Sequence, residues 1–370
     1  MRILLTGANG FVGKNLAVRL NEQAGFTVLP MTRETTPDEL RNLILQADAV
    51  VHLAGVNRPV NEQAFTDDND TLTQDLCAMI RKSGHKIPII AASSIQAGND
   101  TAYGQSKRAG ERHLEALANE CGVPVAIYRL VNVFGKWCQP NYNSVVATFC
   151  HNAIHDLPIT VNDPAACMRL IYIDDLVDAW IKHLKAPNEG LTWPIVAPEY
   201  EITVGALDTQ IQSFRSSRDT HKIGAVGTGL LRALYATYLS HLPPAQFSYP
   251  LTRHEDERGV FAEMLRTENS GQFSFFTAHP GITRGGHYHH TKNEKFLVLS
   301  GQARFCFKNI LTGEVSTLDV KSEESQVVET VPGWAHDITN IGESEMVVML
   351  WANELFDQAS PDTFAAETQP

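Results

Sequence analysis

Two groups of side chains in this sequence could carry out chemistry. The first is Tyr103 and Lys107, preceded by the adjacent serines Ser93 and Ser94. Tyr and Lys four positions apart lie on one face of a helix, where an ammonium lowers the pKa of a phenol. Such a phenol exchanges a proton with a ketone or alcohol oxygen while a hydride moves to or from carbon. The pair therefore indicates an oxidoreductase site.

The second group is rich in histidine and lies near the C-terminus. His287 and His289 are two positions apart, so they lie on one face of an extended strand, and Glu294 and His336 follow. Imidazoles with a carboxylate are typical ligands of zinc or another divalent transition metal. His290 adjoins His289 and is an alternative ligand at this point.

A glycine-rich turn precedes both groups. Gly7, Gly10 and Gly13 are spaced as G-x-x-G-x-x-G directly after the first predicted strand and open a helix. Backbone N–H groups and the helix N-terminus at such a turn can hold a pyrophosphate. Arg33 follows the second predicted strand with no carboxylate before Glu34, which favours the 2′-phosphate of NADPH. Asp48 could reach the adenine.

The elements that position these residues fall into two regions. Up to about residue 129, β-branched runs alternate with amphipathic stretches, which predicts an α/β domain with a Rossmann-type, doubly wound parallel sheet. Its predicted strands are Arg2–Thr6, Thr27–Met31, Ala49–Ala54, Ile87–Ala92 and Val123–Arg129.

From about Phe247 onward, short apolar runs separated by Gly, Pro and Asn predict an all-β sandwich or barrel. Its predicted strands are Val260–Leu265, Phe273–Ala278, Lys295–Leu299, Ala303–Lys308, Gln326–Val331 and Glu345–Trp351. Pro243 and Pro244 end a predicted helix, Leu230–Leu239, so we place the domain boundary there, with domains 1–245 and 246–370. We expect Arg215–Gly229 to form a surface loop.

Composition excludes several functions. Lys and Arg number 30 against 42 Asp and Glu, a net charge of −12, which disfavours binding to nucleic acid or to an anionic membrane. The longest apolar runs have the length of strands, so no membrane anchor is expected. The first strand begins at once after Met1 and leaves no room for a signal peptide, so we expect a cytoplasmic protein. Six irregularly spaced cysteines indicate reduced thiols.

The glycine turn together with the Tyr/Lys pair resembles the short-chain dehydrogenase/reductase superfamily over about 240 residues. Arg129–Gly135 and Arg169–Leu176 are similar to the extended branch that acts on nucleotide sugars. This resemblance implies that Ser94, Tyr103 and Lys107 are catalytic, with Ser93 as the competing serine. The further contacts that it implies are Asn9, Phe11, Val12, Leu53, Ala54, Gly55 and Lys107 to the cofactor, and Ser93, Arg129, Asn132, Trp137 and Arg169 to the substrate.

One departure narrows the reaction. Nucleotide-sugar 4,6-dehydratases have an Asp-Glu pair directly after the active-site hydroxyl residue, where this chain has Ile95-Gln96. Neither side chain can act as a carboxylate acid or base, so a keto-sugar reductase fits better than a dehydratase.

The histidine-rich segments resemble both motifs of the cupin family, a small β-barrel that often holds a metal. A keto-sugar reductase followed by a cupin is similar to the CapF type of bifunctional enzyme, and this resemblance runs nearly from end to end. It implies that the cupin epimerises C3 of a UDP-2-acetamido-2,6-dideoxy-4-hexulose and that the first domain then reduces C4 with NADPH. It also implies a role in capsule or O-antigen polysaccharide synthesis, and a homodimer.

Two points stay open at the level of sequence. Lys292, His290 and Lys295 are all candidates for the base of the epimerisation. Alternative functions are an NADP-sensing regulator with a sugar-binding cupin and a reductase whose cupin is only structural.

Overall fold

The structure is a computed structural model that describes residues 1–57, 61, 63–251, 254–256, 259–261, 265–267, 271–354 and 359–368. It divides into two compact units. The first unit comprises Met1–Phe134, Asn141–Ser144 and Met168–Ile202, and the second unit comprises Gly135–Pro140, Val145–Cys167 and Thr203–Pro370.

The helices and strands are numbered in chain order. The helices are α1 Phe11–Asn21, α2 Pro37–Gln46, α3 Gln63–Phe65, α4 Leu72–Ser83, α5 Ala102–Cys121, α6 Val145–Ile154, α7 Ile173–Lys185, α8 Val204–Thr220 and α9 Gly229–Ser240. The strands are β1 Arg2–Thr6, β2 Thr27–Met31, β3 Ala49–His52, β4 Ile89–Ser94, β5 Val125–Leu130, β6 Asn132–Phe134, β7 Cys167–Tyr172, β8 Leu191–Thr192, β9 Tyr200–Thr203, β10 Lys222–Ile223, β11 Ser248–Pro250, β12 His254–Asp256, β13 Gly259–Phe261, β14 Arg266–Thr267, β15 Gln272–Ala278, β16 Thr283–Tyr288, β17 Glu294–Ser300, β18 Gln302–Asn309, β19 Val315–Lys321, β20 Gln326–Glu329, β21 Trp334–Asn340, β22 Met346–Ala352 and β23 Phe364–Ala365.

The first unit is built on a parallel sheet with the strand order β2-β1-β3-β4-β5-β8. Helices α2, α4 and α5 cover a core formed with buried strand residues such as Leu4, Val50 and Ile127. This arrangement confirms the predicted α/β fold. Because carboxyl ends of parallel strands meet at one edge, the sheet brings together Gly7 after β1, Leu53–Gly55 after β3 and Ser94 at the end of β4.

The predicted strands β4 and β5 are shifted toward the C-terminus by one or two residues. Pro88 and Pro124 precede them, and proline has no N–H for the sheet ladder. Their carbonyls still accept, from Val50 N and Ile89 N, so the ladder begins just after each proline. The shift places both Ser93 and Ser94 inside β4, where side chains alternate between the two faces.

The second unit contains two five-stranded sheets, with the orders β11-β20-β17-β22-β15 and β19-β18-β21-β16-β23. Their strands pair antiparallel, which confirms the all-β prediction for the C-terminal region. The predicted strand Val260–Leu265 includes residues 262–264, which lie outside the described residues.

Helices α6, α8 and α9 belong to the same compact unit as these sheets. Arg218 of α8, for example, donates to Gln246 O at 2.7 Å and forms an ion pair with Glu329 of β20. The domain boundary at residue 245 remains a prediction, and the compact units differ from it by including these helices with the sheets.

The expectation of a surface loop over Arg215–Gly229 was wrong for its first part. Helix α8 continues to Thr220 because Leu207, Ile211 and Phe214, spaced three or four apart, are buried on one face. It ends at His221, which adopts a left-handed conformation with φ +53°.

Within the part of the chain that the structure describes, every helix is too short or too polar to span a bilayer.

Candidate active site and metal centre

The glycine turn has the close backbone packing that a dinucleotide site needs. Gly7 has φ +68°, and a Cβ on it would lie 2.8 Å from Ala54 N. A Cβ on Gly13 would lie 2.2 Å from Gly7 O, so α1 starts directly against the turn. Gly10 is the N-cap of α1 and provides no side chain to the first N–H groups of the helix. Asn9, Phe11 and Val12 lie in this turn and in the first turn of α1, as predicted for a pyrophosphate cradle.

The two residues predicted to select the cofactor have different environments. Arg33 lies two residues after β2, with its side chain 87% exposed and Nη2 3.6 Å from Asp68 Oδ2. It is therefore available to a phosphate at the carboxyl edge. Asp48 was a wrong prediction: it precedes β3, at the opposite edge of the sheet, and accepts a hydrogen bond from Arg2 N at 2.6 Å.

Tyr103 and Lys107 lie in the first turns of α5, whose N-cap Thr101 accepts a hydrogen bond from Gly104 N. The Ser94 side chain lies close enough to the Tyr103 phenol to influence its pKa. Lys107 donates from Nζ to Ala92 O at 3.1 Å. The structure thus brings the three predicted catalytic residues to one place.

The protonation states differ from the sequence expectation. Burial raises the pKa of Tyr103, and the neighbouring Ser94 side chain opposes this only in part. Burial also lowers the pKa of Lys107 to about 8, although Glu111 opposes this shift. The prediction that the lysine lowers the pKa of the phenol was therefore wrong for this structure, because desolvation dominates. The phenol stays protonated and is able to donate a proton.

Ser93 is directed to the other face of β4, so it does not compete with Ser94. Its buried hydroxyl donates to Glu111 Oε1 at 2.6 Å, and Arg129 binds the same carboxylate through Nε at 2.9 Å and Nη2 at 2.7 Å. The predicted substrate contact of Ser93 was wrong because its hydroxyl is used here. Arg129 is likewise neutralised by Glu111, and its guanidinium lies 4.8 Å from the centre of the Trp193 ring.

The other three predicted substrate residues lie at separate places. Asn132 donates to Arg169 O at 3.1 Å, and the Arg169 side chain is bound to the Glu199 carboxylate. Trp137 belongs to the second unit, where a Cβ on Gly333 would lie 2.8 Å from its ring. Their role in substrate binding stays a prediction.

The four predicted metal ligands converge in the second unit. His287 lies on β16 opposite His336 on β21, His289 follows β16, and Glu294 begins β17. One ligand atom from each of these residues lies within 4.8 Å of all the others. Glu294 Oε2 is 3.2 Å from His289 Nε2 and 3.4 Å from His336 Nε2.

The chemistry of this cluster fits a divalent cation. Although burial opposes it, the neighbouring imidazoles of His289 and His336 hold the pKa of Glu294 well below its ordinary value. Burial and the neighbouring histidines lower the pKa of His287 to about 4, which keeps that imidazole neutral. Among the described residues, the buried Nε2 of His336 has no well-formed hydrogen bond. Neutral imidazoles and one carboxylate are the donor set that zinc uses.

Sequence reasoning missed Asp362, which organises this cluster. Its carbonyl oxygen is hydrogen-bonded to Nδ1 of His289, which leaves Nε2 of that ring to face Glu294. Its carboxylate accepts from the backbone N–H groups of His290 at 2.9 Å, Thr291 at 2.7 Å and Lys292 at 2.7 Å. Asp362 lies 70 residues or more from each of these partners in a segment without a motif, so only folding reveals it.

The structure narrows two choices that the sequence left open: which histidine is the metal ligand, and which residue is the base. The His290 ring packs against Tyr288 and Phe364, and it is His289 that joins the cluster. Lys295 lies on the opposite face of β17 from Glu294 and contacts Glu329 and the Tyr249 hydroxyl. Of the three candidate bases, Lys292 contacts the cluster, with Nζ 2.9 Å from Glu294 Oε1.

Comparison with known proteins shows to which family the chain belongs. Residues 3–196 match the NAD dependent epimerase/dehydratase family, and residues 254–364 match the polysaccharide biosynthesis C-terminal domain. The chain is 54% identical over 365 residues to the UDP-2-acetamido-2,6-beta-L-arabino-hexul-4-ose reductase of Pseudomonas aeruginosa, covering 99% of this chain and 98% of that one. The chain belongs to the NAD dependent epimerase/dehydratase family, in the group that includes this reductase.

Solved structures agree with this assignment. The capsular polysaccharide assembling protein CapF from Staphylococcus aureus matches with a TM-score of 0.66 and 38% identity, covering 99% of this chain and 100% of that chain. The predicted resemblance to CapF-type enzymes is thereby confirmed. A UDP-glucuronic acid 4-epimerase from Bacillus cereus, at 18% identity and a TM-score of 0.53 over 58% of this chain, supports the fold of the N-terminal region alone. Family membership makes the chain an enzyme that uses a nicotinamide cofactor.

Proposed function

We propose that this chain is a bifunctional nucleotide-sugar enzyme of capsule or O-antigen polysaccharide synthesis. Its second unit epimerises C3 of a UDP-2-acetamido-2,6-dideoxy-4-hexulose, and its first unit reduces the C4 ketone to give UDP-2-acetamido-2,6-dideoxy-L-talose. The observation that carries the proposal is the Ser94–Tyr103 hydroxyl pair at the same sheet edge as the glycine turn. The name of the Pseudomonas relative, a hexul-4-ose reductase, agrees with this substrate class.

For the reduction, NADPH supplies the hydride that adds to C4. Ser94 hydrogen-bonds the carbonyl oxygen, and Tyr103 donates a proton to it as the C4–H bond forms. The raised pKa of Tyr103 suits this direction because it keeps the phenol protonated before reaction. The products are the C4 alcohol and NADP⁺, and solvent returns the proton to the tyrosine. Exposed Arg33 would bind the 2′-phosphate, which favours NADPH over NADH.

The epimerisation must precede the reduction. The C4 ketone makes the C3 proton acidic, since the carbanion is delocalised as an enolate, and this activation is lost once the ketone is reduced. Removal of the C3 proton and its return to the opposite face inverts the carbon with no net change in composition. His287, His289, Glu294 and His336 would hold a divalent metal, zinc in our proposal, in a cupin barrel. A bound metal supplies Lewis-acid stabilisation of negative charge on oxygen.

The test uses the 4-keto nucleotide sugar in deuterated water. Without NADPH, proton NMR should show deuterium entering at C3; with NADPH, the product should be the talose nucleotide carrying that deuterium. No exchange at C3 would contradict the epimerase assignment and leave a reductase with a structural barrel. No oxidation of NADPH would contradict the reductase assignment.

Two further parts of the proposal have their own measurements. Elemental analysis of protein purified without added metal should find zinc at one ion per chain. Sedimentation should find the mass of a homodimer, which the resemblance to CapF-type enzymes implies. A monomer at every concentration would contradict the dimer.

A further inference from the structure

A chain of hydrogen bonds begins at the loop Leu53–Gly55 on the cofactor edge of the sheet. The hydroxyl oxygen of Thr6 accepts hydrogen bonds from Leu53 N and Ala54 N, both at 3.0 Å. The same oxygen lies 2.8 Å from Nδ1 of His52. Because two N–H groups occupy both acceptor positions of Thr6, its own proton must be donated to His52 Nδ1.

The donor assigned to Thr6 determines where the other protons of this hydrogen-bond chain lie. His52 carries its proton on Nε2, which donates to the Thr73 hydroxyl oxygen at 2.9 Å. Thr73 in turn donates to Asn69 O at 2.7 Å, and all four residues are buried. Burial, with a contribution from the Lys107 charge, lowers the pKa of His52 to about 3. The neutral state that this geometry requires is therefore kept at neutral pH.

Asn69 connects this chain of hydrogen bonds to helix α5, which carries Tyr103. Its amide nitrogen donates to Val56 O at 2.8 Å and to Ser106 Oγ at 3.1 Å, and its oxygen accepts from Val56 N at 2.9 Å. Ser106 donates to the carbonyl oxygen of Tyr103 at 2.8 Å. A Cβ on Gly55 would lie 2.4 Å from Asn69 Oδ1, so the loop packs directly on this amide.

We propose that His52 is a positioning residue of the reductase site. Through Thr6 and Thr73 it fixes the distance between the cofactor loop Leu53–Gly55 and the helix that carries Tyr103. The proposal rests on the proposed reductase function. It deepens that function, because it assigns the geometry of hydride transfer to a residue that acts only through its neighbours.

The test removes the Thr73 hydroxyl, with its bonds to His52 and Asn69, and keeps the volume of the side chain. Thr73→Val abolishes the acceptor for His52, and we expect kcat for ketone reduction to fall about tenfold, with KM for NADPH changed by less than about threefold. We expect this small change in KM for NADPH because the substitution leaves the Gly7–Gly13 turn intact. Thr73→Ser restores the hydroxyl and should restore kcat.

Thr237→Val is the matched control. Thr237 on α9 is fully buried, and its hydroxyl donates to Ala233 O at 2.7 Å, the same local bond that Thr73 makes to Asn69. This control should leave kcat unchanged. If Thr73→Val does not fold, His52→Asn replaces it: the amide oxygen still accepts from Thr6, but no donor reaches Thr73, and the same loss of kcat is expected.

The outcomes separate the two proposals. Wild-type kcat in Thr73→Val and His52→Asn, an equal loss in Thr237→Val, or no rescue by Thr73→Ser overturns the positioning role alone. A wild-type chain that oxidises no NADPH with the 4-keto nucleotide sugar overturns the proposed reductase function, and the positioning role with it.

Discussion

The two units each contain a buried polar cluster built around histidine, and the clusters differ in how completely they are paired. In the first unit, Thr6 donates to His52, His52 donates to Thr73 and Thr73 donates to Asn69 O, so each proton has an acceptor. In the second unit, Glu294 Oε2 lies within 3.4 Å of two imidazole nitrogens, and the Nε2 of His336 has no well-formed hydrogen bond among the described residues.

This difference distinguishes a cluster that holds the protein together from one that holds a ligand. A buried polar group without a partner costs about 1–3 kcal/mol, so a cluster that stays unpaired usually serves a further binding partner. The network of His52 needs no added group. In the proposed function, the cluster of His287, His289, Glu294 and His336 would be completed by a divalent cation, which would bind the imidazole nitrogens and the carboxylate together.

The comparison predicts that the two units lose their activities independently, and the largest effect is expected at Tyr103. Tyr103→Phe removes the proton donor and should lower the rate of NADPH oxidation about a thousandfold. Deuterium uptake at C3, followed by proton NMR, should be unchanged because that cluster lies in the other unit. Loss of both activities would contradict the division of labour between the units.

The next largest effect concerns the metal. His289→Ala removes a ligand and should leave metal content far below one ion per chain, whereas the adjacent His290→Ala should retain it, because the His290 ring packs against Tyr288 and Phe364. Elemental analysis after dialysis against a chelator measures both. The reverse result would mean that His290 is the ligand and that the pairing of His289 with Glu294 is not the metal site.

Local spacing in the sequence was enough to predict the parts of both sites that depend on neighbours along the chain. The glycine turn at Gly7–Gly13, the Tyr103–Lys107 pair and the His287–His289 pair each depend on residues two to six apart along the chain. The structure brings these groups together where the spacing places them.

What the sequence could not supply depends on the direction of a side chain or on distant contacts. Ser93 and Ser94 are both at the end of β4, and only the position of the strand, set by Pro88, decides which one faces Tyr103. Asp48 was misplaced although its position was predictable: a residue directly before a parallel strand lies at the amino edge of the sheet, opposite the edge of the glycine turn. Asp362 was missed because its partners are distant in sequence.

A smaller effect on the metal is expected at Asp362. Asp362→Ala keeps the carbonyl that binds His289 but removes the acceptor for three N–H groups, so metal affinity should fall about tenfold to a hundredfold. Asp319→Ala is the control, since Asp319 forms an exposed ion pair with Arg304 in the same unit. Competition with a chromogenic chelator measures both affinities, and equal values would contradict the organising role of Asp362.

The smallest effect tests the neutrality of His52 through the pH dependence of stability. Its pKa is about 3 in the folded chain, below the ordinary value of 6.5, so the unfolded chain binds a proton that the folded chain does not. As pH falls from about 6.5 toward 3, this site lowers the free energy of unfolding by about 1.4 kcal/mol per pH unit.

The measurement is urea unfolding at pH 6.5 and 5.5. His52→Asn should lack this slope, so its loss of stability between the two pH values should be smaller than that of the wild type by about 1 kcal/mol. His85→Asn, which replaces an exposed histidine after α4, should keep the slope, because that ring is hydrated before and after unfolding. Equal slopes in the wild type and His52→Asn would mean that His52 accepts a proton in the folded chain. The Thr6 hydroxyl could then no longer donate to Nδ1. The His52 network would no longer be fully paired, and it would not differ from the metal cluster in that respect.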